Sequence, residues 1–205
     1  MPDPAQPPSL ATWRTFLSST AVGLLAHRAA VSEAILRLGD LPVRMETFGA
    51  LPKTSVHDCE RLVRESDAVV AIVAHRYGWV PPAGHGGRDG KSITWLEVEA
   101  ALGAGRPVFV FIVDETFPWT GPKEQDRLQQ PHVVSNPAKV EEVAAATRAL
   151  ERFKAWLRST AGLVVGTFTT PNDLAMNVAT ALGNWALHVA SGGASAAPLR
   201  RAPGL

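Results

Sequence analysis

The chain has 205 residues, 20 Lys+Arg against 19 Asp+Glu, 46% hydrophobic residues and a formal charge of +1. That length suits one ordinary domain able to bury roughly 70% of its unfolded surface without a disulfide or metal staple. Balanced charge excludes a dedicated nucleic-acid module, and the single cysteine, Cys59, excludes a disulfide framework or a multi-cysteine zinc site.

Residues 1–11 are polar and proline-broken, unlike a secretory signal, and read as a flexible flank. Residues 13–19 (WRTFLSS) form the first strand candidate. A helix is expected over 22–38, with Leu24, Val31, Ile35 and Leu38 on its inner stripe. Residues 42–48 (PVRMETF) are the second strand, and 54–65 a helix with Val56, Cys59, Leu62 and Val63 on one side. Residues 67–74 (DAVVAIVA) and 106–113 (RPVFVFIV) are continuous apolar runs of the kind found in strands covered on both faces.

Between those runs lies 84–90 (GHGGRDG), read as a mobile loop able to act as a lid, followed by a compact helix over 92–105. Residues 116–137 hold four prolines and few periodic apolar residues, so an irregular insertion is expected there. A long amphipathic helix over 139–159 follows, with Val140, Val143, Thr147, Leu150, Phe153, Trp156 and Leu157 facing inward. A last strand at 163–168 and a last helix at 172–190, capped by Asn172 or Asp173, complete one domain over 12–190. Residues 191–205 have linker composition.

Strands alternating with helices of this length force parallel crossovers. The fold class is therefore α/β, a flavodoxin-like doubly wound parallel sheet of five strands. In such sheets ligands sit outside the carboxyl ends of the strands near the topological switch point. Four stretches fall there: Ser18-Ser19-Thr20, Glu46-Thr47-Phe48, His75-Arg76-Tyr77-Gly78, and the loop leading to Ser92.

Ser18 and Ser19 suit phosphate or ribose contacts, or one of them caps the next helix. Arg76 offers bidentate bonds to phosphate and Tyr77 a stacking ring; the alternative is a surface ion pair and strand-end packing. Glu97 and Glu99 lie about 100° to either side of Val98, on a helix whose buried stripe is read as Val98, Ala101, Leu102 and Gly105. Either glutamate can rim a cleft and stabilise an oxocarbenium ion or bind a ribose hydroxyl. Thr94-Trp95-Leu96-Glu97 equally fits a capping box, in which the glutamate only satisfies helix-start amides. No G-x-G-x-x-G, P-loop, G-x-S-x-G or H-E-x-x-H pattern is present, and no histidine spacing suggests a metal, so neither a metal nor a resident cofactor is expected.

Phe16-Leu17-Ser18-Ser19-Thr20, Met45-Glu46-Thr47-Phe48, Ser66-Asp67, His75-Arg76-Tyr77-Gly78, Lys91-Ser92-Ile93-Thr94 with Glu97, and Gly105-Arg106-Pro107-Val108 together resemble a TIR-like family, domain of unknown function 4062. The resemblance covers roughly residues 13–115. It implies a fold of the TIR and nucleoside deoxyribosyltransferase type, often at the N-terminus of larger proteins with NTPase and repeat domains in conflict or immunity systems. Enzymatic TIR domains split the nicotinamide–ribose bond of NAD with a glutamate on the helix after the third strand.

Glu97 matches that pattern, because Ala101-Leu102 follow it and Gly105-Arg106 precede the next strand; Glu99 is the second choice. The resemblance further implies a ligand site of Ser18, Ser19, Phe48, Arg76, Tyr77 and Ser92, with NAD or another nucleotide as substrate and a homo-oligomer as the assembled form. Two other outcomes stay open: a non-catalytic signalling scaffold, and a nucleoside deoxyribosyltransferase-like N-glycosidase. A soluble, cytoplasmic protein without membrane or nucleic-acid partners is expected.

Overall fold

Two hexapeptides, AVVAIV and VFVFIV, form strands buried at every position, because helices cover both faces of the sheet they occupy. The computed structural model describes residues 12–44 and 56–192. Its elements in chain order are β1 (Arg14–Ser19), α1 (Leu25–Arg37), β2 (Leu41–Val43), α2 (Val56–Glu65), β3 (Ala68–Val73), α3 (Ile93–Gly103), β4 (Val108–Val113), α4 (Pro131–Val134), α5 (Pro137–Ser159), β5 (Leu163–Phe168) and α6 (Pro171–Ala190). All strand pairs are parallel and the sheet order is β2-β1-β3-β4-β5. This is the flavodoxin-like doubly wound α/β fold, with its switch point between β1 and β3.

Side chains alternate between two cores. Phe16, Val69, Ala71, Val110 and Ile112 face Val98 of α3 and Phe153 and Leu157 of α5. Leu17, Val70, Ile72, Phe109 and Phe111 face Val31 and Ile35 of α1 and Leu174 and Val178 of α6. Trp95, Phe153 and Trp156 stack on one another at the edge of the first core, with Trp95 and Phe153 centroids 4.8 Å apart.

Several boundaries depart from the sequence expectation. Helix α1 starts at Leu25, with no side-chain cap, and Leu38 is a 42%-exposed C-cap residue outside the inner stripe. Strand β2 covers Leu41–Val43 and Arg44 is not part of it; residues 45–48 of the expected second strand, Phe48 included, lie outside the described residues. Helix α6 is capped by Thr170, whose hydroxyl accepts from the Asp173 amide at 3.2 Å, with Pro171 at its first position; neither Asn172 nor Asp173 is the cap.

The 116–137 insertion is more ordered than expected. It holds a 3₁₀ turn at Gln125–Gln129, the short α4 and the first residue of α5. Among the described residues no helix is long and apolar enough to cross a membrane.

Candidate active site

Adjacent serines at the end of β1 serve opposite faces of the sheet, as the two-residue period of a strand requires. Ser18, on the Phe16 side, donates its hydroxyl to Glu97 Oε2 of α3. Ser19, on the Leu17 side, accepts from the buried Arg28 guanidinium of α1, which also reaches the Ser19 carbonyl at 3.2 Å. The two serines expected at one ligand site therefore have their hydroxyls on opposite faces of the sheet.

Helix α3 settles the role of Glu97 in the fold. Its N-cap is Ser92, whose hydroxyl accepts from the Trp95 amide at 3.4 Å. The capping box at Thr94 is thus overturned, and Glu97 lies inside the helix, past the amides that need caps. Thr94, Glu97, Val98 and Ala101 form one buried i, i+3, i+4, i+7 stripe, with Leu96 also buried beside it. That stripe differs from the expected one: Glu97 sits within it and not beside it.

Glu97 is 4% exposed and faces the switch point from α3. Glu99 turns away, binding Lys91 Nζ at 2.7 Å on a side that remains a quarter exposed. Cys59 of α2 is buried near Glu97; burial first, then the negative charges of Glu97 and Asp58, push its thiol up to about 12. A buried thiol held protonated is inert. Native protein is accordingly expected to leave Cys59 unmodified by a maleimide at pH 8 while the urea-unfolded chain reacts fully; rapid native labelling would refute the burial.

The remaining sequence candidates have these places. Ser92 is fully buried, and its amide donates to the Tyr77 hydroxyl at 3.1 Å. Tyr77 is 3% exposed and its hydroxyl also donates to the Gly90 carbonyl at 3.0 Å, so its ring fills the core beneath the β3–α3 loop. Burial raises its hydroxyl pKa. Arg76 is ion-paired through Nε to Glu124 of the insertion at 3.1 Å. Glu124 also accepts from the Tyr77 amide at 3.0 Å and from Arg127 at 2.8 Å.

The glycine-rich loop, expected to be a mobile lid, is anchored. It carries the 3₁₀ turn Ala83–His85 and an Arg88–Glu60 ion pair of 2.9 Å. Gly87 packs so close to the chain that an added Cβ would lie 1.7 Å from the Pro81 carbonyl oxygen.

Sequence reasoning gives Thr20 and Thr94 no site role of their own, only a place in the switch-point stretch and in a capping box. Both line a cavity of about 10 Å³ with Arg76 and Tyr77, room for one water. The Thr94 hydroxyl there is buried without a partner. Its position on the Glu97 stripe was the signal that would have found it. Among the described residues no three His, Cys, Asp or Glu side chains converge as a metal-ligand set.

Comparison with known proteins gives the family but no function. No curated protein matches the sequence. Among solved structures, the chain is similar to the CMP N-glycosidase BcmB of Clostridium botulinum, with a TM-score of 0.39 at 12% identity, covering 82% of this chain and 98% of that one. Residues 14–183 match the family described as "Domain of unknown function (DUF4062)", and the chain belongs to it.

Proposed function

We propose that the protein is an N-glycosidase acting on a nucleotide, with NAD as the first candidate substrate and Glu97 as the carboxylate that attends the sugar. The single observation that carries this reading is a buried carboxylate at the switch point, oriented by Ser18 and unused by its own helix cap. Loss of a base from a riboside breaks the C1′–N bond, the electron pair leaves with the base, and positive charge develops across C1′ and the ring oxygen. Water then supplies the oxygen that C1′ takes up and releases a proton. A carboxylate kept from water interacts strongly with that charge because little solvent screens it. For NAD the departing nicotinamide is neutral and needs no general acid.

Of the residues the family resemblance suggested, Glu97 and Ser18 would serve this role, with Arg76 lining the small cavity beside Thr94; Tyr77 is part of the core. Ser19 and Ser92 are engaged elsewhere in the fold. Glu99 is the weaker candidate because its charge is spent on Lys91. Assembly into a homo-oligomer, fusion to NTPase or repeat domains, and a conflict or immunity role in the cytoplasm belong to the same proposal.

The test is to incubate concentrated protein separately with NAD and with CMP, and to follow released nicotinamide or cytosine by chromatography. Release of either base supports the reading, and release of neither from protein at high concentration counts against it. Ser18→Ala removes the donor that orients the carboxylate. It is expected to lower kcat by about tenfold with KM nearly unchanged, as loss of one positioning hydrogen bond would. An unaltered kcat would remove Ser18 from the site.

One observation favours a second reading, a non-catalytic interaction domain: Glu97 is nearly closed from solvent, and the cavity beside Thr94 holds no more than a water. Self-association by sizing, without release of any base, would select it.

A further inference from the structure

The opposite face of the sheet carries a larger cavity that the Glu97 chemistry does not use. It measures about 420 Å³ and lies between the start of α1, the start of α6 and the 116–137 insertion. That size is within the roughly 300–1,000 Å³ range of small-molecule pockets. Phe117, Pro118 and Trp119 form an apolar wall, His27 the floor, and Thr169 and Thr170 the far side; no charged side chain lines it.

Three polar atoms on residues of this lining are buried without partners, and a fourth belongs to His75, which packs on Trp119 from outside the lining. Both ring nitrogens of His27, Nε2 of His75 and Nε1 of Trp119 are buried and make no hydrogen bond. His27 itself is only 8% exposed. Its ring stacks on the Trp119 indole at 5.4 Å, and His75 packs against that indole, tilted by 56°, at 5.1 Å. Stranding such groups away from water costs about 1–3 kcal/mol each, so the three on His27 and Trp119 favour a ligand that supplies both donors and acceptors. Burial lowers the His27 pKa, keeping the imidazole neutral with one donor and one acceptor nitrogen.

The start of α1 adds to this. It has no side-chain cap and no acidic residue in its first turn, and Gly23, Ala26 and His27 around that start line the pocket. At the start of α6, by contrast, the Asp173 carboxylate is tied to the Thr169 amide and hydroxyl at 2.8 and 3.0 Å, which disfavours an anion on that side.

We infer that this pocket binds an uncharged nucleobase or nucleoside, with the Trp119 indole as stacking surface and His27 as the hydrogen-bonding edge. Aromatic walls suit the π-face of any base, and a base edge presents adjacent donors and acceptors that match a neutral imidazole. An indole packed on the two histidines must swing outward to admit the edge of the ligand. Gly121 lets the indole pack closely in its present position, since a Cβ there would meet Trp119 Nε1 at 2.8 Å. The inference is independent of any reaction at Glu97, which lies across the sheet.

Ligand-observed NMR titrations with adenine and with adenosine test it. Saturable binding of either is expected in the wild type, with equal affinity in Glu97→Gln. Trp119→Leu should weaken it at least tenfold through lost stacking. His27→Phe keeps the ring against the indole but removes both nitrogens, and should weaken it about tenfold. No binding of either compound to the folded wild type overturns the inference. Wild-type affinity in both Trp119→Leu and His27→Phe does the same, and loss of binding in Glu97→Gln assigns the ligand to the other face.

Discussion

Glu97→Gln is expected to reduce base release by about 10²–10³-fold, the loss seen when one electrostatic stabiliser of a transition state is removed. Glutamine has nearly the same shape and keeps an acceptor for the Ser18 hydroxyl, so the bond that seats the side chain survives. What disappears is the negative charge beside the sugar. The effect should therefore fall on kcat more than on KM, because charge on the sugar develops only as the base leaves. Far-UV circular dichroism should match the wild type.

Glu99→Gln is the matched control: it breaks a partly exposed pair with Lys91 and should leave turnover within twofold. If Glu99→Gln abolished release while Glu97→Gln retained it, the assignment of the carboxylate would be reversed.

The sheet was legible because its signal is local and strong. The apolar runs in β3 and β4 can only be strands covered on both sides, and helices between them fix parallel pairing and the handedness of the crossovers. The start of α3 was read within one residue, but its cap was not legible in the same way. Thr94 with Glu97 satisfies a capping box by spacing, yet the helix begins one turn-fraction earlier, because the Tyr77 hydroxyl holds the Ser92 amide and Ser92 then caps the helix. That choice depends on a residue from the preceding strand end, a tertiary contact that no local window contains.

The division of Ser18 from Ser19 was within reach of the sequence. Phe16 and Leu17 must enter different cores, and the strand period carries the serines after them to the same two sides. The insertion offered no such handle. Its order comes from Glu124, whose partners lie 47 and 48 residues away on Tyr77 and Arg76, and from Pro122 packed on Gly23.

Glu124→Ala should destabilise the protein by about 3–5 kcal/mol, the range for removing one partner of a buried ion pair. The carboxylate is 4% exposed and accepts from three donors at once: Arg76 Nε, the Tyr77 amide and Arg127 Nη1. Alanine leaves the Tyr77 amide buried without that acceptor and two guanidinium groups facing a cavity, and the Arg127 pair with Glu142, at 2.7 Å, holds the second cation only at the surface. A domain of this size loses roughly 2–4 °C of melting temperature per kcal/mol, so a fall on the order of 6–20 °C is expected by calorimetry.

Glu124→Gln, which retains one carbonyl acceptor, should fall between the two. The damage should also be local first: the backbone bond from the Glu124 amide to the His75 carbonyl, at 2.8 Å, fixes the insertion against the end of β3, and weakening it should speed amide exchange across residues 116–137 before the sheet responds. A loss below about 1 kcal/mol, with exchange in the insertion unchanged, would show that this carboxylate is dispensable and that the insertion is held by its aromatic packing on His27 and His75 instead.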